Sequence, residues 1–330
     1  MRIGLAYDLK TEHIARGLAP EDAAELDDEA TVEALAGAFQ ALGHEPDRIG
    51  SAEILAARLS MGERWDWVFN ICEGVRGSCR ESQAPALMEL FDQPFVGSSA
   101  YALAICHHKP AAKREVRDAG LATPRFVEIR RPADLDGPDL AALAFPLFAK
   151  PASEGSGKGV APASKAETPE ALRREALRLL ERFRQPVLVE EYLPGAEYTV
   201  GIVGDGTDAK VLGVLAVDFL HADSADLYSL HTKAHYRDLV GYRLAGGDAG
   251  RAVADLALAC HRRLGCRDFA RHDIRCDARG RPHFLEVNPL PGLHPVTSDL
   301  PILCGLAGIG YTDLIGRILD AALARGKRSP

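Results

Sequence analysis

Several things are missing from this 330-residue chain, and each absence removes a class of function. No stretch approaches the roughly 20 apolar residues that a membrane span requires, so a membrane partner is not expected. The apolar run in Met1-Arg-Ile-Gly-Leu-Ala-Tyr7 is too short for a secretory leader, which places the expected setting in the cytoplasm. There is no excess of basic residues: 39 Lys and Arg against 47 Asp and Glu give a net charge of -8, and nucleic acid is not an expected partner. The seven cysteines are an odd number and contain no Cys-x-x-Cys pair, so neither a disulfide framework nor a zinc site is favoured. Repeats and low-complexity tracts are absent as well. What remains is a chain with 47% hydrophobic residues, ordinary for a soluble protein and long enough for two to three compact units.

Alternating apolar positions predict a first strand at Arg2–Tyr7, and Val32, Leu35, Ala36, Phe39 and Leu42 recur at helical spacing before Gly43. A strand at Trp67–Ile71, a helix at Gln83–Phe91 and a strand at Pro94–Val96 complete an alternation that implies a parallel sheet over residues 1–105. Two further units are expected at 106–187 and 188–330. Thr168-Pro169-Glu170 is a helix start, and Tyr198–Val203 with Val211–Val217 reads as an antiparallel pair around Gly204-Asp205-Gly206. A helix at Ala249–Leu264 and strands at Phe269–Cys276 and His283–Val287 follow, with a closing helix at Asp313–Ala324. The polar stretch Leu220–Leu244 has the length of a functional loop.

Chemistry concentrates in three places. Lys150 ends a strand and leads into a loop whose Gly155, Gly157 and Gly159 let backbone N–H groups approach anionic oxygens, with the lysine adding a point charge. It is not a Walker A loop, because Gly159 follows Lys158; alone, it is equally a flexible surface turn. Asp273, Glu286 and Asn288 sit on two predicted strands. In a hairpin Asp273 would face the other two, and three such oxygens suit Mg2+. The apolar residues Leu285 and Val287 are expected on the opposite face; a solvated polar face is the competing reading. Third, Val187-Leu-Val-Glu190-Glu191 followed by a turn offers backbone groups for a base and a carboxylate for ribose hydroxyls.

Taken in order, Lys109, Lys150 with its Glu154-Gly155-Ser156 loop, Glu190-Glu191-Tyr192-Leu193 with Glu197, Arg271-x-Asp273, and Glu286-x-Asn288 before Pro291-Gly292 resemble D-alanine–D-alanine ligases. The resemblance covers nearly the whole chain and is strongest from about residue 94 onward. It implies an α/β ATP-grasp fold, with an N-terminal parallel α/β domain and two α+β subdomains enclosing the nucleotide. It also implies an ATP- and Mg2+-dependent ligase (Mn2+ can stand in) that joins a carboxylate to an amine through an acyl phosphate.

In that scheme Lys109 and Lys150 hold phosphates and Ser156 covers them. Glu190, Glu191 and Leu193 bind adenine, Glu197 binds ribose, and Asp273, Glu286 and Asn288 hold metal. Arg271 stabilises the oxyanion, and Lys233 contacts a substrate carboxylate or the γ-phosphate. The partners implied are a small carboxylate and a small amine, and a homodimer is compatible with the sequence.

The N-terminal third departs from the family pattern. The usual Gly-Gly-x-Ser-x-Glu stretch is replaced by Tyr7-Asp8-Leu-Lys-Thr-Glu12-His13 and an acidic segment, Glu21–Glu33. The usual His-Gly-x-x-Gly-Glu-Asp-Gly stretch is replaced by Asn70-Ile-Cys-Glu73-Gly-Val-Arg76-Gly77, and Ala234 takes the place of a tyrosine. Tyr7, Glu73 and Arg76 are therefore the candidates for an altered substrate side, with Thr297 and Ser298 for a carboxylate. Two readings compete with a ligase of altered substrates: an authentic D-alanine–D-alanine ligase and a non-catalytic ATP-binding regulator.

Overall fold

The computed structural model describes residues 1–155, 157–219 and 240–327. Its N-terminal unit comprises β1 (Arg2–Tyr7), α1 (Lys10–Ala15), α2 (Glu29–Ala41), β2 (Glu45–Gly50), α3 (Ala52–Ser60), β3 (Trp67–Ile71), α4 (Gln83–Leu90) and β4 (Phe95–Val96). The four strands pair in parallel in the order β2-β1-β3-β4. Helix α2 starts where Asp28 accepts the Thr31 backbone N–H at 3.0 Å, and it buries Val32, Leu35 and Phe39 against Ile3, Leu5 and Phe69. The sequence patterning missed β2 and α3. Strand β2 is an edge strand with only its last two residues buried, so it carries little apolar signal of its own.

Helices α5 (Ala100–His107) and α6 (Lys109–Asp118) lead into the central unit: β5 (Phe126–Ile129), α7 (Pro138–Ala141), β6 (Leu147–Pro151), β7 (Lys165–Ala166), α8 (Pro169–Phe183) and β8 (Val187–Glu191). Thr168 caps α8 through the Ala171 N–H at 3.3 Å, with Pro169 in the first turn. The sheet order is β5-β8-β6-β7, all antiparallel. Strand β8 hydrogen-bonds to both β5 and β6, so the whole of Val187–Glu191 belongs to this sheet.

The third unit is β9 (Glu197–Val203), β10 (Lys210–Phe219), β11 (Val240–Leu244), α9 (Gly247–Arg263), β12 (Phe269–Cys276), β13 (Pro282–Asn288), α10 (Asp299–Leu306) and α11 (Tyr311–Gly326). Its antiparallel sheet runs β11-β10-β9-β12-β13. Helix α11 returns to the first unit, where Leu314, Ile315 and Ile318 share one core with Val32 and Phe39. Among the described residues no single helix is long and apolar enough to cross a membrane.

A bulge on the β12–β13 hairpin positions the site. Asp273 pairs with Glu286, but Ile274 pairs with Phe284, so Leu285 is the extra residue. Leu285 therefore turns to the cleft beside Glu286, while Phe284 and Val287 enter the core. The expectation that Leu285 shares the apolar face of Val287 is corrected by that one inserted residue.

Candidate active site

Two cavities meet around the β12–β13 hairpin. The first, a cleft of roughly 820 Å3, is lined from the central unit by Lys150, Gly157, Glu190 and Leu193, and from the third unit by Glu197, Asp273 and Glu286. Lys109 enters from the start of α6. Its Nζ donates to the Glu154 carbonyl of the glycine loop and lies 3.8 Å from Glu286 Oε2. The loop can fold this closely because it is glycine at the right place: a Cβ at Gly159, where φ is +81°, would meet Pro151 Cγ at 2.7 Å.

Lys150 is buried and holds the middle of a charge chain. Its Nζ stands 3.1 Å from Glu190 Oε1 and 3.5 Å from Glu286 Oε2. Burial disfavours that ammonium, but the Glu190 and Glu286 carboxylates more than offset it and raise its pKa. Glu190 also meets Lys113 Nζ at 2.7 Å; burial opposes its charge, and the two lysines together hold it ionised below its usual range. Sequence reasoning gave Glu190 to adenine. In this structure its carboxylate is paired with Lys113 and Lys150. Lys113 was missed, although it stands one helical turn after Lys109 on α6. The Glu191 side chain pairs with Arg125 at 3.4 Å and accepts the Ala144 N–H at 3.2 Å, and Glu191 also lines the cleft. Glu197 pairs with Arg275 at 3.1 Å, and Arg275 in turn reaches the Tyr192 hydroxyl at 3.0 Å.

Asp273 accepts from Thr199 Oγ1 at 2.9 Å and from Arg271 at 3.0 Å; Arg271 reaches Asp299 at 3.1 Å with its other arm. Arg271 lies opposite Asn288 in the hairpin register, and both line the second cavity. The buried Asn288 Nδ2 has no hydrogen-bond partner among the described residues. Two carboxylates and an amide oxygen on facing strands are a hard-oxygen set that fits a small divalent cation beside phosphates. The cleft and the second cavity thus meet along one face of the hairpin, with Asp273 and Glu286 lining the first and Arg271 and Asn288 the second.

The second cavity, roughly 1540 Å3, is acid-rich. Glu25, Asp27, Asp28, Glu73, Glu81 and Asp299 line it, against Lys10 and Arg271. Behind the wall Arg80 gathers three of these acids, pairing with Glu25, with Glu73 at 3.2 Å and with Glu81 at 3.7 Å, and Glu81 also meets His107 at 2.7 Å. Burial and the neighbouring Glu81 carboxylate push the Glu73 carboxyl well above its usual range, and burial pushes Asp27 up to about 7. The acidic segment also reaches across to the glycine loop: Glu25 Oε1 accepts the Gly155 N–H at 2.7 Å, and Asp22 meets Lys158 at 2.9 Å.

Of the candidates for the substrate side, Glu73, Thr297 and Ser298 line this cavity. Arg76 and Tyr7 line neither cavity: Arg76 is exposed, and Tyr7, the last residue of β1, packs half-buried against the core. The guanidinium beside Glu73 is that of Arg80, which the 3-10 turn Arg80–Ser82 swings inward while the preceding Arg76–Cys79 stretch faces solvent. No spacing rule in the sequence separates the two arginines. Ser156 and Lys233, with Tyr228 and His235 near it, lie outside the described residues.

The profile of the family described as D-ala D-ala ligase C-terminus matches residues 116–320. Among similar proteins, a D-alanine–D-alanine ligase of Cupriavidus taiwanensis is 33% identical over 283 residues, covering 85% of this chain and 81% of that one. A D-alanine–D-alanine ligase of Gloeobacter violaceus is 33% identical over 293 residues, covering 88% and 92%. In fold, the chain is similar to D-alanine–D-alanine ligase from Bacillus anthracis complexed with ATP, with a TM-score of 0.74 at 24% identity over 99% of each chain. It is also similar to VanG D-Ala:D-Ser ligase from Enterococcus faecalis, with a TM-score of 0.74 at 19% identity over 97% and 99%. With a matched profile over most of its length and relatives sharing a third of its residues across four-fifths of the chain, this protein belongs to the D-alanine–D-alanine ligase family of ATP-grasp enzymes.

Proposed function

We infer that the chain is an ATP-dependent ligase that forms an amide bond between a small carboxylate and a small amine, both amino-acid-like. One observation carries the reading: a glycine loop with two buried lysines and an acidic hairpin share one cleft, which meets the acid-lined second cavity at Arg271 and Asn288. The proposed domains follow the three sheets, with the nucleotide between the second and third. ATP is available in the cytoplasm, the proposed site of action.

Lys109 and Lys150 would bind the phosphates and orient the γ-phosphoryl group toward the second cavity. Asp273, Glu286 and Asn288 would hold Mg2+, or Mn2+ in its place, which when bound neutralises charge on the transferring phosphoryl group. A substrate carboxylate in the second cavity attacks that group, giving an acyl phosphate and ADP. Arg271, fixed between Asp273 and Asp299, is placed to stabilise the oxyanion formed when the amine then attacks, and phosphate leaves. Leu193 and the Glu191 backbone would border adenine, and Glu197 the ribose. Glu73 is proposed for a substrate ammonium, with Thr297 and Ser298 for a carboxylate. Ser156 and Lys233 keep the roles the family resemblance gives them, over the phosphates and at a substrate carboxylate or the γ-phosphate.

Incubation with ATP, Mg2+ and mixed D- and L-amino acids, followed by mass spectrometry, tests the proposal. A new amide whose formation tracks ADP release supports it. Saturable D-alanyl-D-alanine formation alone would favour the second reading, which the names of the relatives suggest. ADP release without any amide would overturn ligation.

A further inference from the structure

Beneath the hairpin, on the face of β12 turned away from the cleft, lies a cluster with a different chemistry. Strand alternation sends Arg271 and Asp273 to the cavities and His272 the other way, toward α9. There one ligand atom each of His272, His261 (last turn of α9) and Cys266 (the α9–β12 connection) lies within 4.8 Å of the others. His261 and His272 are wholly buried, and Cys266 is 2% exposed. We propose that His261, Cys266 and His272, with Cys106 as the fourth ligand, form a structural site for a zinc-class divalent cation.

The geometry already approximates such a site. A tetrahedron with metal–nitrogen bonds of about 2.1 Å and metal–sulfur bonds of about 2.3 Å has N···N edges of about 3.4 Å and S···S edges of about 3.8 Å. His261 Nδ1 and His272 Nε2 are 3.2 Å apart, and the Cys106 and Cys266 sulfurs are 4.0 Å apart. The other nitrogen of His261 donates to the Gly204 carbonyl at 3.1 Å, which fixes the tautomer and leaves Nδ1 with its lone pair toward the cluster. Cys106 comes from α5, is 3% exposed, and has to move toward the imidazoles to close the fourth corner.

Charge favours two sulfurs. Binding releases each thiol proton to solvent, and two thiolates with two neutral imidazoles cancel the charge of the ion, so a buried complex carries no net charge. Three of the ligands fall within twelve residues of sequence, in the pattern His-x4-Cys-x5-His. The absence of a Cys-x-x-Cys pair argued against zinc only because it looks for a different local geometry. An ion here would tie α9 and α5 to the strand that carries Arg271 and Asp273, distinct from the Mg2+ proposed for the cleft.

Elemental analysis of the full chain, purified from zinc-supplemented culture and dialysed against EDTA to clear the open cleft, is expected to find one zinc per chain. Protein refolded with Co2+ is expected to show a thiolate-to-cobalt charge-transfer band in the near ultraviolet. That band identifies sulfur ligation in the wild-type protein even where a variant fails to fold. Cys266→Ser should lose both band and zinc, and Cys106→Ser should lose about half the band intensity. Zinc-free protein with no cobalt band, or metal retained unchanged in Cys266→Ser, would overturn the proposal.

Discussion

The cleft and the acid-lined cavity border the same hairpin, yet they balance charge in different ways. In the cleft, acids and bases alternate: Lys113, Glu190, Lys150 and Glu286 form a chain in which each charge has an opposite neighbour. In the cavity, one guanidinium serves three glutamates and Asp27 is left near the middle of the pH range. The cleft is therefore close to neutral by its own pairs, whereas the cavity lining keeps more acids than bases even with Lys10 and Arg271 counted. That contrast matches the sequence, where the cleft follows the family pattern and the cavity wall departs from it.

The sharpest way to break the comparison is at the hairpin. Glu286→Ala should lower kcat by about 1,000-fold, roughly 4 kcal/mol of transition-state stabilisation, with the far-ultraviolet dichroism unchanged. Wild-type turnover with Mg2+ as sole divalent ion would remove Glu286 from the metal site.

Next in size is Arg80→Met, which leaves three buried carboxylates without their shared partner. Its expected cost is about 3 kcal/mol in denaturant unfolding at pH 8, and less at pH 5, where part of that cluster takes up protons. An equal loss at both values would mean the acids are not coupled through Arg80.

Asp27 gives a smaller, signed effect. Burial raises its pKa to about 7, so the folded state binds this proton more tightly than the unfolded chain. Its ionisation then destabilises the fold as pH rises from the ordinary carboxylate range through about 7, and none of that cost is present below the unfolded value. Asp27→Asn removes the titration, so the difference in Tm between pH 5 and pH 8 should narrow by about 2–4 °C. An unchanged difference would show that Asp27 is already ionised in the free enzyme.

The smallest expected change is at Arg76, exposed and outside both cavities. Arg76→Ala should leave kcat/KM within about twofold, in line with surface substitutions worth about 0.5 kcal/mol or less. A large loss would return Arg76 to the substrate side and displace Arg80 from it.

Much of the cleft's lining was legible because its residues sit at strand ends and loop positions with fixed periodicity. Lys150 after a strand, glycines where the backbone must turn, and acids at alternate strand positions are local patterns, and local patterns survive in one dimension. Glu190 shows the limit: its place near the end of β8 was readable, but its pairing with Lys113 and Lys150 depends on α6 packing against β5 and β13. Leu285 shows another, since a bulge is set by strand pairing and shifts every following side chain. The cavity wall was mostly illegible. Glu25 with Asp27 and Arg80 with Glu81 come from two stretches of the N-terminal unit, 55 residues apart at the Arg80–Glu25 pair, and their meeting is fixed by the packing of that unit.

From its sequence alone this protein determined its family and its α/β fold class, because the motifs that mark them depend on spacing along the chain. Tertiary structure decided which arginine stands beside Glu73, which way Leu285 turns and which acids share one cavity. The first two turn on a 3-10 turn and a strand bulge that residue spacing does not announce, and the third on segments far apart in sequence, where packing sets the positions and desolvation then sets the charges.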